Sequence, residues 1–178
     1  SMPTLSLCTV LSLLCISLAA AILLFPAYRS TDFDVHWHWK ALAFHQSPAV
    51  RYTDTIATRH TLDYPPGFAL WEALLAQFAP IDCLPLQDDI PDERLRLVSD
   101  TCLVYMRSTV LMGTILYWIV LYAMHRHKQV NSIQFSLLVL HPAWMWLDHV
   151  HFQYNALVAA VWMASLYCIR RAMEKNKK

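Results

Sequence analysis

Residues 148–155 of this chain read Asp-His-Val-His-Phe-Gln-Tyr-Asn and lie between two strongly apolar stretches. Residues 135–147 precede this run and residues 156–169 follow it. Both stretches are short for a membrane helix, and each needs a few flanking residues to span. A carboxylate, two imidazoles and two amides at the turn between membrane helices are costly unless water, a partner or a substrate meets them. We therefore expect residues 148–155 to belong to a functional surface at a membrane boundary.

The composition of the whole chain is that of a membrane protein. Of its 178 residues 57% are hydrophobic and 15% are charged, whereas about a quarter of a soluble domain is charged. The apolar residues occur in blocks, which argues against the alternative of a soluble protein with a buried core. The net charge is +1 and no basic tract precedes the last residues, so nucleic acid is not an expected partner, whereas membrane lipid is.

The apolar blocks predict about four membrane-spanning helices, at residues 5–27, 101–124, 132–148 and 154–170. The first block could also be a signal peptide. It has no basic region before it and no clear small-residue cleavage site before Pro26, which favours an uncleaved anchor.

Residues 28–100 form a long loop in this scheme, with two interfacial helices near residues 33–45 and 65–80. The apolar part of the second, residues 67–80, is only 14 residues long and contains Glu72. A stretch of this length is more often interfacial or buried than spanning.

Positive charge gives the orientation of the predicted spans. A basic run at residues 125–128 follows the second span, and a basic tail at residues 171–178 follows the fourth. Both belong on the cytosolic side if residues 65–80 do not cross the membrane. The polar clusters at residues 31–36, 62–66 and 148–155 then all lie on the opposite side of one membrane.

The two earlier polar clusters each allow a structural and a functional interpretation. Asp32 can lie in a solvated loop or a helix N-cap formed by Ser30, Thr31 or Asp32, or it can act as a general base at the membrane surface. Asp63 and Tyr64 precede two prolines and can simply open a helix. Aromatic residues nearby could stack on a sugar or anchor the chain in the membrane: Tyr52, Phe68 and Trp71.

The imidazoles of the third cluster could in principle bind a metal together with Asp148. His149 and His151 are two residues apart, a spacing that does not put both on one helical face, and no further ligand set is evident. We therefore predict no metal site and favour hydrogen bonds from these imidazoles to a phosphate or a sugar.

The five cysteines give no sign of a zinc site or a disulfide framework. Cys83 lies in the predicted loop, the other four lie in apolar segments, and no pair has C-x-x-C spacing. We predict that the cysteines are unpaired and mostly buried.

Three motifs in this chain resemble those of the dolichyl-phosphate-glucose glucosyltransferases of the endoplasmic reticulum. Residues 31–39 read TDFDVHWHW, residues 61–66 read TLDYPP and residues 148–155 read DHVHFQYN. Their order, spacing and topology agree across nearly the whole chain. The resemblance implies a partial GT-C fold, an all-α membrane protein with a bundle of membrane helices and two lumenal helices in the first loop.

The resemblance also implies a reaction. The family transfers glucose from dolichyl phosphate glucose to the dolichyl-diphosphate oligosaccharide used for N-glycosylation, with inversion and without a metal or other cofactor. The implied location is the endoplasmic reticulum membrane, with a multi-pass chain and a lumenal active face.

The resemblance assigns Asp32 as the catalytic base, which removes a proton from the acceptor hydroxyl as dolichyl phosphate leaves. Substrate-binding roles follow from position for Asp34, Trp39, Asp63, Tyr64, His149, His151 and Gln153. The short segment between His45 and Leu62, together with the start at residues 30–33, resembles the member that adds the second α-1,3-glucose.

Family members are far longer, and this chain resembles only about their first third. We therefore expect the 178 residues on their own to be incomplete and inactive. The alternatives are the first-glucose transferase of the same family and a non-catalytic membrane partner that binds a transferase or a dolichol lipid. A small transporter or channel subunit is disfavoured because the polar residues gather at one face instead of lining the spans.

Overall fold

The structure, a computed structural model, describes residues 5–53, 60–84 and 98–176, and these are helical with connecting turns and no strand. The predicted all-α fold is confirmed for this part of the chain. Residues 54–59 and 85–97 of the predicted loop and the last two residues of the predicted basic tail lie outside it. The α-helices are α1 (Leu7–Leu23), α2 (Thr31–His45), α3 (Pro48–Arg51), α4 (Pro66–Ala76), α5 (Asp100–Arg126), α6 (Ser132–Val139) and α7 (Asn155–Lys175).

The chain divides into two compact units. The loop unit is Tyr28–Thr109, and the helical unit combines Ser1–Ala27 with Val110–Lys178. Helix α5 contributes its first turns to the loop unit and the rest to the helical unit.

Among the residues that the structure describes, two helices are long and apolar enough to cross a membrane. They are α5, with 27 residues and a mean hydropathy of 1.5, and α7, with 21 residues and a mean hydropathy of 1.3. Helix α1, in the first predicted span, is a shorter apolar helix of 17 residues. Four spans and the interfacial position of the loop helices stay predictions.

The third predicted span, residues 132–148, is not one continuous α-helix. Helix α6 ends at Val139, shortly before Pro142, and a π-helix runs from Trp144 to Val150. A proline lacks an N–H and clashes with the preceding turn, which accounts for the interruption. The hydroxyl of Ser17 donates to the carbonyl oxygen of Val139 at 3.2 Å, so a backbone acceptor at the end of α6 is satisfied.

The helical unit is held by an apolar core that α1, α5, α6 and α7 share. Its buried members are Val10, Tyr117, Trp118, Leu121, Met124, Val130, Phe135, Val139, Ala156 and Ala160. Gly113 on α5 allows a close approach, because a Cβ atom at that position would lie 3.2 Å from the Cβ of Leu157 on α7. A larger residue there would push α5 and α7 apart.

The loop unit is built by packing α2 against α4. The indole N–H of Trp37 donates to the carbonyl of Cys83 at 2.9 Å, and His45 Nε2 donates to the carbonyl of Leu84 at 2.8 Å. Arg107, which interrupts the second predicted span, is buried in this unit and donates to the carbonyl of Tyr28 at 3.1 Å. The bonds of Trp37 and His45 fix α2 within the loop unit.

A disulfide joins Cys83 to Cys102, so the prediction of unpaired cysteines is wrong for these two. They are 19 residues apart in sequence, and only the fold brings their Cα atoms within 5.2 Å. The prediction that the cysteines are mostly buried is also wrong for the free cysteines Cys8, Cys15 and Cys168. These are exposed because they lie on faces of α1 and α7 that point away from the core.

We expect thiol labelling to reveal this pairing. A maleimide should modify three cysteines in the unfolded, unreduced chain isolated from its membrane, and all five after reduction, because a disulfide sulfur does not react. The Cys83→Ser/Cys102→Ser variant should give three modifications in both conditions. Five modifications of the unreduced chain would contradict the pairing.

Candidate functional site

One face of α2 carries the residues from which the site is built. Asp32, His36 and Trp39 follow each other at intervals of four and three residues, so they share one side of the helix. The hydroxyl of Ser30 accepts the N–H of Phe33 at 3.2 Å, which makes Ser30 the N-cap. Of the three caps that the sequence allowed, Ser30 is the one formed, and it places Asp32 in the first turn, where a carboxylate matches the positive end of the helix dipole.

The loop before α4 passes along this face of α2. The indole N–H of Trp39 donates to the carbonyl of His60 at 3.0 Å, and the hydroxyl of Tyr52 donates to the carbonyl of Tyr64 at 3.0 Å. Leu62 is buried in an apolar cluster with Trp39. The loop is therefore anchored on both sides of Asp63.

Helix α2 and this loop enclose a pocket of about 400 Å³. It is lined by Asp32, Val35, His36, Trp39, His60, Thr61, Asp63 and Tyr64. Four of the predicted site residues thus come together: Asp32, Trp39, Asp63 and Tyr64. The described lining contains two carboxylates and no Lys or Arg, so its fixed charge is negative, and its volume is within the range of small-molecule sites.

The wall of the pocket contains a cluster of aromatic rings in mutual contact. The centroid distances are 4.9 Å between Trp39 and Tyr64, 4.8 Å between Tyr64 and Phe68, and 5.1 Å between His36 and Trp39. All three pairs are edge-to-face, the favoured arrangement for such rings. The result is an apolar surface beside two carboxylates, which suits a ligand with both C–H faces and hydroxyl groups, such as a sugar.

The phenol of Tyr64 lies in the negative field of the pocket. Partial burial, and then the charges of Asp32 and Asp63, raise the pKa of Tyr64 above its usual value. Tyr64 therefore remains a neutral hydroxyl at physiological pH and can both donate and accept a hydrogen bond.

We expect Asp32→Asn and Asp63→Asn each to lower the pKa of Tyr64. The phenolate is an anion, so removing a neighbouring negative charge favours it. Ultraviolet absorbance titration measures the pKa of the tyrosines, and the difference between wild type and Tyr64→Phe identifies the contribution of Tyr64. Asp82→Asn, a change in the same unit outside the pocket lining, is the control. A Tyr64 pKa that neither pocket variant changes would contradict the geometry.

Behind the pocket wall lies a buried group of charges that our sequence interpretation missed. His36 Nδ1 lies 2.8 Å from Glu72 Oε1, and Lys40 Nζ lies 2.7 Å from Glu72 Oε2. The side chains of Lys40 and Glu72 are 0% exposed. Two signals were present in the sequence: a glutamate within an apolar helix, and a histidine and a lysine four residues apart on α2.

The charges of this group are mutually stabilising. Burial alone would raise the pKa of Glu72, but the charge of Lys40 and the hydrogen bond and charge of His36 outweigh burial and lower it. Burial lowers the pKa of Lys40, and Glu72 opposes that change. We therefore treat Glu72 as a carboxylate paired with the ammonium of Lys40.

Asp34, a predicted substrate-binding residue, is not among the residues that line the pocket. It is two residues from Asp32 and therefore lies on another side of α2. Its carboxylate accepts a hydrogen bond from Arg29 Nε, and the guanidinium of Arg29 lies 5.1 Å from the Trp37 ring centroid. A substrate role for Asp34 stays a prediction.

The other three predicted residues belong to the helical unit. His149 is buried with Nε2 3.1 Å from Thr114 Oγ1, and Gln153 Oε1 accepts from Asn155 at 2.8 Å. The ring of His151 lies 6.0 Å from that of Trp146, centroid to centroid. Their substrate-binding roles stay predictions.

Asp148 has a structural task that the sequence did not reveal. Its carboxylate accepts the N–H of Ala156 at 2.7 Å and the N–H of Asn155 at 3.1 Å, which are the first residues of α7. Backbone donors at the start of a helix have no intrahelical partner, so this carboxylate satisfies two of them. Part of the polar character of residues 148–155 therefore serves the fold.

Comparison with known proteins gives consistent matches. Residues 15–176 match the family described as the ALG6, ALG8 glycosyltransferase family. Relatives named dolichyl pyrophosphate Glc1Man9GlcNAc2 alpha-1,3-glucosyltransferase occur in Eremothecium gossypii and Saccharomyces cerevisiae. The first is 34% identical over 86% of this chain and 28% of the relative, and the second is 32% identical over 88% and 27%.

A relative in Drosophila melanogaster carries the same name preceded by "probable" and is 34% identical over 82% of this chain and 29% of its own length. The chain thus spans less than a third of the length of these curated relatives.

Proposed function

Because this chain belongs to the ALG6, ALG8 glycosyltransferase family, we propose that it supplies the acceptor side of a glucosyltransferase that extends the lipid-linked precursor of N-glycans. The donor is dolichyl phosphate glucose. The acceptor is the dolichyl-diphosphate oligosaccharide that already carries one glucose, and the product carries a second, α-1,3-linked glucose. The observation that carries this proposal is the pocket in which Asp32, Trp39, Asp63 and Tyr64 meet.

The chemistry follows from the residues of the pocket. Asp32 accepts the proton of the acceptor hydroxyl as that oxygen bonds to the anomeric carbon of glucose, and the bond from that carbon to the dolichyl phosphate oxygen breaks. Attack from the face opposite the phosphate inverts the configuration. The reaction needs no cofactor in this scheme.

The remaining pocket residues bind and orient the acceptor sugar. Asp63 and Tyr64 supply hydrogen-bonding groups for its hydroxyls, and Trp39 supplies a ring for its apolar face. The negative lining disfavours a phosphate, which supports an acceptor site over a donor-phosphate site. For His149, His151 and Gln153 we propose hydrogen bonds to the lipid phosphate or sugar, supported by their clustering before α7.

We propose an endoplasmic reticulum membrane location with the loop unit in the lumen. Basic residues follow α5 and end α7, which favours the cytosol for those two ends. The Cys83–Cys102 disulfide supports an oxidising compartment for the loop unit.

The test uses a chimera in which residues 15–176 replace the matching segment of the Saccharomyces cerevisiae relative, expressed in cells lacking that relative. Membranes from these cells receive dolichyl phosphate glucose and either the monoglucosylated acceptor or its unglucosylated counterpart. We expect glucose transfer to the monoglucosylated acceptor. A preference for the unglucosylated acceptor would favour the first-glucose activity.

The unaltered relative serves as the positive control, and formation of the Cys83–Cys102 disulfide reports that the exchanged segment has folded. A folded chimera without transfer to either acceptor would favour the alternative of a non-catalytic membrane partner.

The 178-residue chain by itself represents less than a third of the length of its relatives. We expect the purified chain to transfer no glucose, because we propose that the donor site is completed by parts of the relatives that this chain does not match. Radiolabelled donor and purified acceptor provide the measurement. Clear turnover by the purified chain would contradict this expectation.

A further inference from the structure

A groove runs along the surface of the helical unit between α1 and α5. It has a volume of about 280 Å³, and it extends over two turns of each helix, which is about 10 Å. Its lining is Leu7, Val10, Leu11, Leu14, Ile115, Trp118, Ile119 and Tyr122. Trp118 is buried at its floor, whereas Leu11 and Ile119 are more than half exposed. The described lining carries no charged side chain, so the groove suits a hydrocarbon chain.

One end of the groove leads to a positive charge. Ile115, Ile119 and Tyr122 follow each other at intervals of four and three residues, so they share one face of α5. Arg126 continues this series four residues after Tyr122, at the last position of α5, and it is exposed. A guanidinium beyond the end of an apolar groove fits an anionic head group that is attached to a hydrocarbon tail.

We propose that this groove binds an anionic phospholipid, with an acyl chain between α1 and α5 and the phosphate beside Arg126. A guanidinium and a phosphate form strong charge-assisted hydrogen bonds. Tyr122, one turn before the charge, is the type of residue enriched where head groups meet acyl chains.

The source of the lipid follows from the proposed topology. The end of α5 that carries Arg126 faces the cytosol in that topology, so the lipid belongs to the cytosolic leaflet. It is therefore distinct from the donor and acceptor lipids, whose sugars react in the lumen in the proposed function. The inference rests on the proposed membrane location and does not depend on glucose transfer.

Photocrosslinking locates the lipid. The 178-residue chain is placed in phosphatidylcholine nanodiscs that contain a small amount of phosphatidylserine with a diazirine in one acyl chain, and peptide mass spectrometry finds the adducts. We expect adducts in residues 7–14 and 115–122, and fewer from a phosphatidylcholine probe with the same diazirine. Equal adducts from both probes, or no more adducts in the groove than on the exposed face of α7, would overturn the proposal.

Two variants test the two parts of the site, and both altered residues are exposed, so the variants should fold. Arg126→Gln should lower the ratio of phosphatidylserine to phosphatidylcholine adducts about fivefold, the effect of one basic residue beside anionic lipid. Leu11→Trp fills the groove and should reduce the phosphatidylserine adducts there. The matched controls, Arg170→Gln on α7 and Ile16→Trp on α1 outside the lining, should behave like wild type. An unchanged result for either Arg126→Gln or Leu11→Trp would overturn the proposal.

The chimera, extended at its start to include residues 5–14, distinguishes a lipid from a protein segment as the occupant. Here the remaining sequence of the relative is present and competes for the groove. We expect the same adducts in the groove as in the 178-residue chain. Adducts that form in the chain and disappear in the chimera would show that a segment of the remaining sequence covers the groove, which would overturn the proposal.

Discussion

Replacing Lys40 by methionine is expected to lower the free energy of unfolding of the loop unit by about 3–5 kcal/mol. Methionine fills a similar volume, so the effect is mainly electrostatic. The substitution leaves Glu72 buried without its ammonium partner, 2.7 Å away in the wild type. Chemical unfolding in micelles, followed by tryptophan fluorescence, measures the change, since Trp37 and Trp39 lie on the same helix.

Two variants show whether the unbalanced charge causes the loss. Lys40→Met/Glu72→Gln removes both charges and should recover most of the stability, because replacing a whole buried pair is often nearly neutral. Lys175→Met, at the exposed end of α7, should change stability by no more than about 0.5 kcal/mol. A Lys40→Met chain as stable as wild type would mean that the buried pair is not formed.

Asp32→Asn is expected to reduce glucose transfer by the chimera by about 10²–10⁴-fold, the usual contribution of a general base. Asparagine has nearly the same shape and keeps hydrogen-bonding capacity, but it cannot accept the proton of the acceptor hydroxyl. The loss should therefore appear in kcat, with KM for the acceptor little changed. Initial rates at varied acceptor concentration provide the measurement.

Controls for this prediction come from the same helix and the same unit. Asp32→Glu retains a carboxylate in a displaced position and should keep more activity than Asp32→Asn. Asp82→Asn lies outside the pocket lining and should transfer glucose at the wild-type rate. A loss smaller than tenfold for Asp32→Asn would show that another group takes the proton.

The loop helices were predictable because their signals are local. Interfacial helices were predicted near residues 33–45 and 65–80, and the structure contains helices Thr31–His45 and Pro66–Ala76. Ser30 is a favoured N-cap residue and Pro66 is a favoured first residue of a helix. The ends of both helices differ from the prediction by a few residues.

The membership of the pocket was only partly predictable. Helical spacing places Asp32 and Trp39 on one face of α2, and their motif linked them to Asp63 and Tyr64. Glu72 contacts His36 behind the pocket wall only because α4 packs against α2. The two residues are 36 positions apart in sequence. Partners so far apart in sequence leave no local pattern, and the Cys83–Cys102 disulfide was missed for the same reason.

The run at residues 148–155 shows a different limit of prediction from sequence. Its polarity correctly indicated that these groups need partners, but polarity does not reveal whether a partner is a substrate or the backbone. Asp148 is bonded to the start of α7, and His149 lies beside Thr114. The break before this run has a local signal in Pro142, which indicates a kink in the third apolar segment.

Glucose transfer by the chimera should depend on the carboxylate of Asp32. The most direct measurement is the composition of lipid-linked oligosaccharides in living cells that lack the Saccharomyces cerevisiae relative and carry the chimera. We predict oligosaccharides with two or more glucoses for the wild-type segment, and arrest at Glc1Man9GlcNAc2 for Asp32→Asn. Equal amounts of the extended oligosaccharides with either segment would refute a catalytic role for Asp32.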